Sequence, residues 1–139
     1  MRTNEHVFTC HRISGDDVVE GKALISPEAI CFYMVEAETG VISEKGHALE
    51  GQSLKDRIVI MPNGKGSSVV QDEGFFAMKK NNSGPKAIIV KAPDTVLVAG
   101  TIVMGYPLID RVESDFYELI ENGDIVRVDC NKEIVVIHK

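Results

Sequence analysis

The sequence lacks tryptophan, holds only three cysteines in 139 residues, and has no apolar run near the ~20 residues that cross a bilayer. The cysteines are odd in number, far apart and outside any Cys-x-x-Cys pair, which indicates reduced, mostly buried thiols and no metal site. The first six residues include an acid and lack the apolar segment of a signal peptide. A cytoplasmic protein without membrane contact is therefore predicted.

Positive charge is also scarce. Lysine and arginine total 15 against 21 acidic residues, which gives a formal net charge of −6. Broad contact with nucleic acid or anionic lipid depends on basic patches, so neither is expected as a partner. The length fits one domain over 1–139, with enough chain to bury a core without disulfides.

Two strand–turn–helix units stand in the middle of the chain. Arg57–Met61 is a nearly continuous apolar run, typical of a strand covered on both faces, and a helix over 69–80 follows it. A strand over 87–90 and a helix from Asp94 to Met104 repeat the pattern. Before these units, short strands or extended segments are expected at 7–10, 18–25, 30–35 and 41–42. After them, we expect a strand at 108–109, a helix at 113–121 and a hairpin over 125–128 and 133–137. This order predicts an α/β domain with β/β/α layers and a partly parallel sheet.

The turn Gly64-Lys65-Gly66-Ser67-Ser68 joins the first strand to its helix. Glycines allow close approach of a ligand, the helix start presents backbone N–H groups, and Lys65 adds a positive charge. A small anion with a carboxylate or a phosphate would fit there, although the P-loop spacing is absent. The alternative is that Ser67 and Ser68 only cap the helix, as most serine pairs at such positions do.

His47 and Glu73 are two further residues to weigh as parts of a site outside this turn. His47 is the only histidine placed where a site is plausible, and an exposed loop position over Gly46–Ser53 is favoured above a catalytic role. Glu73 falls near the helical arc of Phe76 and Ala77, which indicates that it faces a partner or a site.

Several ordered motifs resemble one family. They are Gly21-Lys22-Ala23-Leu24-Ile25-Ser26, Glu38-Thr39-Gly40, Gly51-Gln52-Ser53 and Pro62-Asn63-Gly64-Lys65-Gly66-Ser67-Ser68, and together they resemble the small subunit of aconitase X. The resemblance implies a swivelling domain that closes over an iron–sulfur cluster held by a large partner subunit, and no metal bound by this chain. It also implies dehydration of a small hydroxy acid, either cis-3-hydroxy-L-proline or mevalonate 5-phosphate.

The resemblance assigns roles within the turn. Ser67 matches the serine that acts as base or proton relay, while Gly64, Lys65, Gly66 and Ser68 hold the anionic group of the substrate. Tyr33–Ala37 departs from the glycine-rich segment usual in the family, and Glu73-Gly74 departs in the helix. The composition is that of a mesophile, which slightly favours the bacterial hydroxyproline substrate.

Two other functions are consistent with the residues. One is a non-catalytic module that holds a small anion with Ser67 as a cap. The other is a homo-oligomeric structural protein whose apolar surface meets a second copy.

Overall fold

The computed structural model describes the backbone of residues 4–65 and 68–139, and the side chains of 4–65 and 71–139. Within these described residues, eight strands form one mixed sheet in the order β1-β8-β7-β3-β4-β5-β6-β2. The strands are β1 (Glu5–Thr9), β2 (His11–Ser14), β3 (Val18–Ile25), β4 (Arg57–Asn63), β5 (Ala87–Ala92), β6 (Leu108–Asp110), β7 (Ile125–Asp129) and β8 (Ile134–His138). The helices are α1 (Ser68–Asn81), α2 (Thr95–Met104) and α3 (Ser114–Leu119), and a 3-10 turn covers Phe32–Met34.

The middle of the sheet is parallel and its flanks are antiparallel. Strands β3, β4, β5 and β6 run in the same direction, whereas β7, β8, β1 and β2 pair antiparallel with their neighbours. Strand β4 lies inside the parallel group, and Ile58, Val59, Ile60 and Met61 are all buried. The prediction of a central strand covered on both faces is confirmed.

The sheet rolls up on itself. Only Cys10 separates β1 from β2, yet these strands lie at opposite ends of the strand order. Because consecutive Cα atoms are about 3.8 Å apart, the two edges of the sheet must come together at this residue. The rolled strands form two β layers.

Two apolar clusters fill the layers. One lies inside the roll and contains Ile58, Ile60 and Ile89 with Phe116 of α3. The other lies on the opposite face of β4 and β5, where Phe75 of α1 and Leu97 of α2 cover Val59, Met61 and Ile88. Helices α1 and α2 therefore form the third layer, and the predicted β/β/α arrangement with a partly parallel sheet is confirmed.

The structure departs from the expected elements at two places. Strand β2 was not expected, because His11 and Arg12 give it no apolar alternation; it forms by pairing with β6, where Nδ1 of His11 lies 2.8 Å from Oδ1 of Asp110. The expectation of extended structure over 30–35 was wrong, since Phe32–Met34 is a 3-10 turn. No helix among the described residues is long and apolar enough to span a bilayer.

Candidate active site

The predicted turn lies where β4 ends and α1 begins. Strand β4 ends at Asn63 and α1 starts at Ser68, so the turn is at the carboxyl end of the parallel strands, where open α/β sheets bind ligands. Gly64 and Lys65 are described in full. Gly66 and Ser67 lie outside the described residues, as does the side chain of Ser68. The roles assigned to these three residues stay predictions.

Gly64 is buried against the start of α2. A Cβ atom on Gly64 would lie 2.5 Å from Oδ2 of Asp94, a contact that real Cβ atoms essentially never make. Oδ1 of Asp94 accepts a hydrogen bond of 2.7 Å from the backbone N–H of Leu97 and thereby caps α2. The absence of a side chain at Gly64 lets the β4–α1 turn contact the capped end of the neighbouring helix.

Lys65 is held by an acid that sequence reasoning did not identify. Its Nζ lies 2.6 Å from Oε2 of Glu44, and the side chains are 39% and 19% exposed, respectively. The hydrogen bond to Glu44 raises the pKa of Lys65 above its ordinary value, while desolvation acts in the opposite direction. Glu44 is 21 residues away in an irregular segment, so no local pattern connects the two. Lys65 is therefore a charged and restrained group at the end of β4.

His47 supports the segment that carries Glu44. The side chain is buried at 5% exposure, which shows that the expected exposed position was wrong. Its Nε2 lies 3.0 Å from the carbonyl oxygen of Ala29, and its Nδ1 accepts a 3.0 Å hydrogen bond from the N–H of Leu49. Both ring nitrogens are thus used in fixing the loop, and this histidine is structural.

A family model described as the aconitase X swivel domain matches residues 7–137. The chain belongs to the aconitase X swivel-domain family. Two curated relatives of this swivel domain carry the name phosphomevalonate dehydratase small subunit. The one from Methanococcoides burtonii is 37% identical over 119 residues, or 85% of this chain and 86% of the relative. The one from Methanocella arvoryzae is 39% identical over 126 residues, or 90% and 94%.

Solved structures agree with the assignment to the family. The swivel domain resembles a chain of Thermococcus kodakaraensis aconitase X in its holo form, with a TM-score of 0.85 and 32% identity over 96% of this chain and 99% of that one. It also resembles a UPF0107 protein solved by solution NMR, with a TM-score of 0.80 and 33% identity over 94% and 97%. The fold predicted from the resemblance is confirmed.

The Phe32–Met34 turn contacts helix α1 in the swivel domain. A Cβ on Gly74 of α1 would lie 2.3 Å from the carbonyl carbon of Phe32, so only glycine lets the Phe32–Met34 turn pack on the helix. Gln71, one turn earlier, is fully buried and accepts a 2.9 Å hydrogen bond from the N–H of Phe32. Glycine at 74 is thus explained by the turn that lies across it.

Glu73 lies on the solvent side of α1. It is exposed together with Phe76, which is 58% exposed, whereas Phe75 and Met78 form the buried face. The arc shared by Glu73 and Phe76 is therefore the outer surface of the helix. A partner at this surface stays a prediction.

The cysteines do not form a ligand set. Burial raises the pKa of Cys10 to about 12 and also raises the pKa of Cys130, as is typical of buried structural thiols. Among the described residues, no three His, Cys, Asp or Glu side chains are grouped so that they could hold a metal ion. The described part of the chain does not fit an iron–sulfur cluster by itself.

Proposed function

We propose that this swivel domain, with 1–139 as one unit, is the small subunit of a cytoplasmic two-chain hydro-lyase that dehydrates mevalonate 5-phosphate. Its partner in this proposal is a large aconitase X-type subunit. The observation that carries the proposal is the match over nearly the full length to relatives named phosphomevalonate dehydratase small subunit. We propose mevalonate 5-phosphate and not cis-3-hydroxy-L-proline as the substrate, because the names of these relatives specify phosphomevalonate.

In the proposed site, the turn binds the anionic group of the substrate. Helix α1 begins shortly after the end of β4, so its first backbone N–H groups are available to this site, and Lys65 adds a full positive charge there. An ammonium has three donors, and among the described residues Glu44 uses one of them, which leaves two for a phosphate or carboxylate oxygen. Gly64, Gly66 and Ser68 complete the anion site.

The hydroxyl of Ser67 acts on the substrate in this proposal. Dehydration removes a proton from carbon and a hydroxyl group from the neighbouring carbon. Ser67 accepts or relays that proton, as a general base does when it is positioned within hydrogen-bond reach. The sequence has no Gly-x-Ser-x-Gly motif, and no cluster-ligand set is present among the described residues of this chain. We therefore assign the iron–sulfur cluster, and the environment that activates Ser67, to the large subunit.

The first experiment is co-purification of a tagged copy from its native cell, with iron and sulfide assayed in the chain that accompanies it. A larger partner that carries iron and sulfide is the expected result. Recovery of this chain alone and free of metal would contradict the subunit proposal and favour the anion-binding module. Recovery as a stable homo-oligomer would favour the structural protein.

The second experiment tests the serine in the reconstituted two-chain complex. Ser67→Ala should lower kcat for mevalonate 5-phosphate by about 10² to 10⁴-fold, the range of a positioned proton-transfer group. Ser114→Ala is the matched control, because Ser114 also begins a helix but is exposed and belongs to α3. Equal activity of the two variants would show that Ser67 only caps the helix. Turnover of cis-3-hydroxy-L-proline and not of mevalonate 5-phosphate would contradict the proposed substrate.

A further inference from the structure

Glu44 makes a contact that its sequence position does not explain. It is the carboxylate partner of Lys65, at 2.6 Å, and its own side chain is 19% exposed. Its second oxygen, Oε1, is buried and has no hydrogen-bond partner among the described residues. Because burying an acceptor without a partner is unfavourable, the surrounding structure must hold this carboxylate in place.

The segment around Glu44 is fixed from both sides. On one side, the carbonyl oxygen of Met34 accepts two hydrogen bonds from Ser43, one from the N–H and one from Oγ, both at 2.9 Å. On the other side, the carbonyl of Glu44 accepts a 3.2 Å hydrogen bond from the N–H of buried His47. A carboxylate on such a segment has a defined position, and so does the ammonium bound to it.

The Met34 contact connects this segment to α1. Met34 belongs to the 3-10 turn whose first residue, Phe32, is held by Gln71 and packs over Gly74. A continuous set of contacts therefore leads from the Phe32–Met34 turn to the lysine at the end of β4. Each step is a hydrogen bond or a close backbone contact.

We propose that Glu44 is a positioning residue: it fixes the Nζ of Lys65 where the anionic group of the substrate binds, and the Phe32–Met34 turn fixes Glu44. This inference rests on the function proposed above for Lys65. Glu44 does not touch the substrate and acts through the lysine. Its carboxylate supplies both the charge and the acceptor that restrain an otherwise long and mobile side chain.

Kinetics of the reconstituted complex test the inference. Glu44→Ala should raise KM for mevalonate 5-phosphate by about tenfold, as loss of a hydrogen bond to a charged group predicts, and should change kcat less. Glu44→Gln keeps an acceptor and should raise KM by a smaller factor. Glu50→Gln is the control in the same segment, because the Glu50 side chain binds the N–H of Gly46 and not the lysine. A KM for Glu44→Ala equal to that of the control would overturn the proposal.

A double-mutant cycle separates positioning from general support of the fold. In a Lys65→Met background, Glu44→Ala should add no further increase in KM, because Glu44 acts through Lys65. Additive effects would overturn the positioning role. If Lys65→Met leaves KM unchanged, the anion-binding role of Lys65 fails and the inference fails with it. If Lys65→Met raises KM but Glu44→Ala does not, only the inference fails.

An NMR readout on the full chain does not depend on activity. The pKa of Lys65, followed through its side-chain ¹³C and ¹⁵N shifts, should fall toward the ordinary lysine value in Glu44→Ala and stay raised in Glu50→Gln. A well-dispersed ¹H–¹⁵N spectrum shows that each variant is folded. An unchanged lysine pKa in folded Glu44→Ala would contradict the contact itself.

Discussion

The two strand–turn–helix units of this protein have the same local architecture and different helix starts. Units β4–α1 and β5–α2 lie side by side, and both helices pack on the same face of the sheet. In the second unit, Asp94 immediately precedes the helix and its carboxylate accepts the free N–H of Leu97. In the first unit, Ser67 holds the corresponding place before Ser68, with no acid in the first turn of α1.

The two helix starts therefore differ in charge, because a carboxylate caps α2 and the first turn of α1 has no acid. Asp94 supplies its own negative charge to α2, so that end is already satisfied and repels a further anion. The α1 turn instead has two glycines and a lysine. Gly64 also brings the two turns into contact, because its missing side chain leaves room for the Asp94 carboxylate. The four predictions below test this contrast, from the largest expected effect to the smallest.

Making the first turn like the second should abolish activity. Ser67→Asp places a carboxylate at the position that corresponds to Asp94, so it removes the hydroxyl and repels the anionic substrate. We expect kcat/KM of the reconstituted complex to fall by more than about 10²-fold while the thermal midpoint of the chain stays near that of the wild type. The reciprocal Asp94→Ser variant should retain activity. A Ser67→Asp complex with near-normal turnover would show that this turn is not the site.

Filling the contact between the turns should destabilise the fold. Gly64→Ala forces a Cβ to within 2.5 Å of Oδ2 of Asp94, and such overpacking typically costs about 1–3 kcal/mol of unfolding free energy, measurable by urea denaturation. Asp94→Ala in the same chain should recover part of the loss. Gly46→Ala is the control, since no atom lies within 4 Å of its added Cβ and it reports only the cost of φ = +83°. A Gly64→Ala chain as stable as the wild type would exclude the clash.

Removing the carboxylate from the second turn should have a modest effect on stability alone. Asp94→Ala deletes the acceptor for the Leu97 N–H, and loss of an N-cap costs about 1 kcal/mol, whereas Asp94→Ser keeps an oxygen and should cost less. Urea unfolding of both variants measures the difference. If the two Asp94 variants are equally stable, the cap contributes nothing.

The smallest expected effect is a change in unfolding free energy at alkaline pH, caused by the titration of Lys65. The folded state holds the Lys65 proton more tightly than the unfolded chain, since Glu44 raises its pKa. This contribution to stability is complete below the ordinary lysine pKa of 10.5 and is lost as pH rises through the higher folded value. The unfolding free energies of wild type and Glu44→Gln should therefore converge as the pH is raised. A constant difference across this range would show that the ion pair does not stabilise the fold.

Other groups also titrate at high pH, which is why that prediction uses a difference between two proteins. Burial raises the pKa of Tyr106 and of Tyr117 to about 12, and Cys10 also rises to about 12. All three are neutral acids in the folded state and favour unfolding above their ordinary pKa values. They are common to wild type and Glu44→Gln and cancel in the comparison.

Much of the fold follows from local pattern. The apolar run Arg57–Met61, the Asp94 start of α2 and the hairpin of β7 and β8 each carry a signal within a few residues, and each is present in the structure. The ordered glycine and serine motifs also identified the family that the comparisons show. Strand β2 had no such signal, because an edge strand with polar side chains is stabilised by its partner and not by its own sequence.

The sequence by itself determined most of the elements, the β/β/α layering and the turn that is the candidate site, since these depend on residues close together in the chain. Only the tertiary structure decided which distant groups surround that turn. Glu44 contacts Lys65, although 21 residues separate them in the sequence. Phe32 packs on Gly74, although strand β4 lies between them in the sequence. Contacts between irregular segments depend on how those segments fold over the sheet. The side-chain periods of strands (2 residues) and helices (3.6 residues) do not predict them.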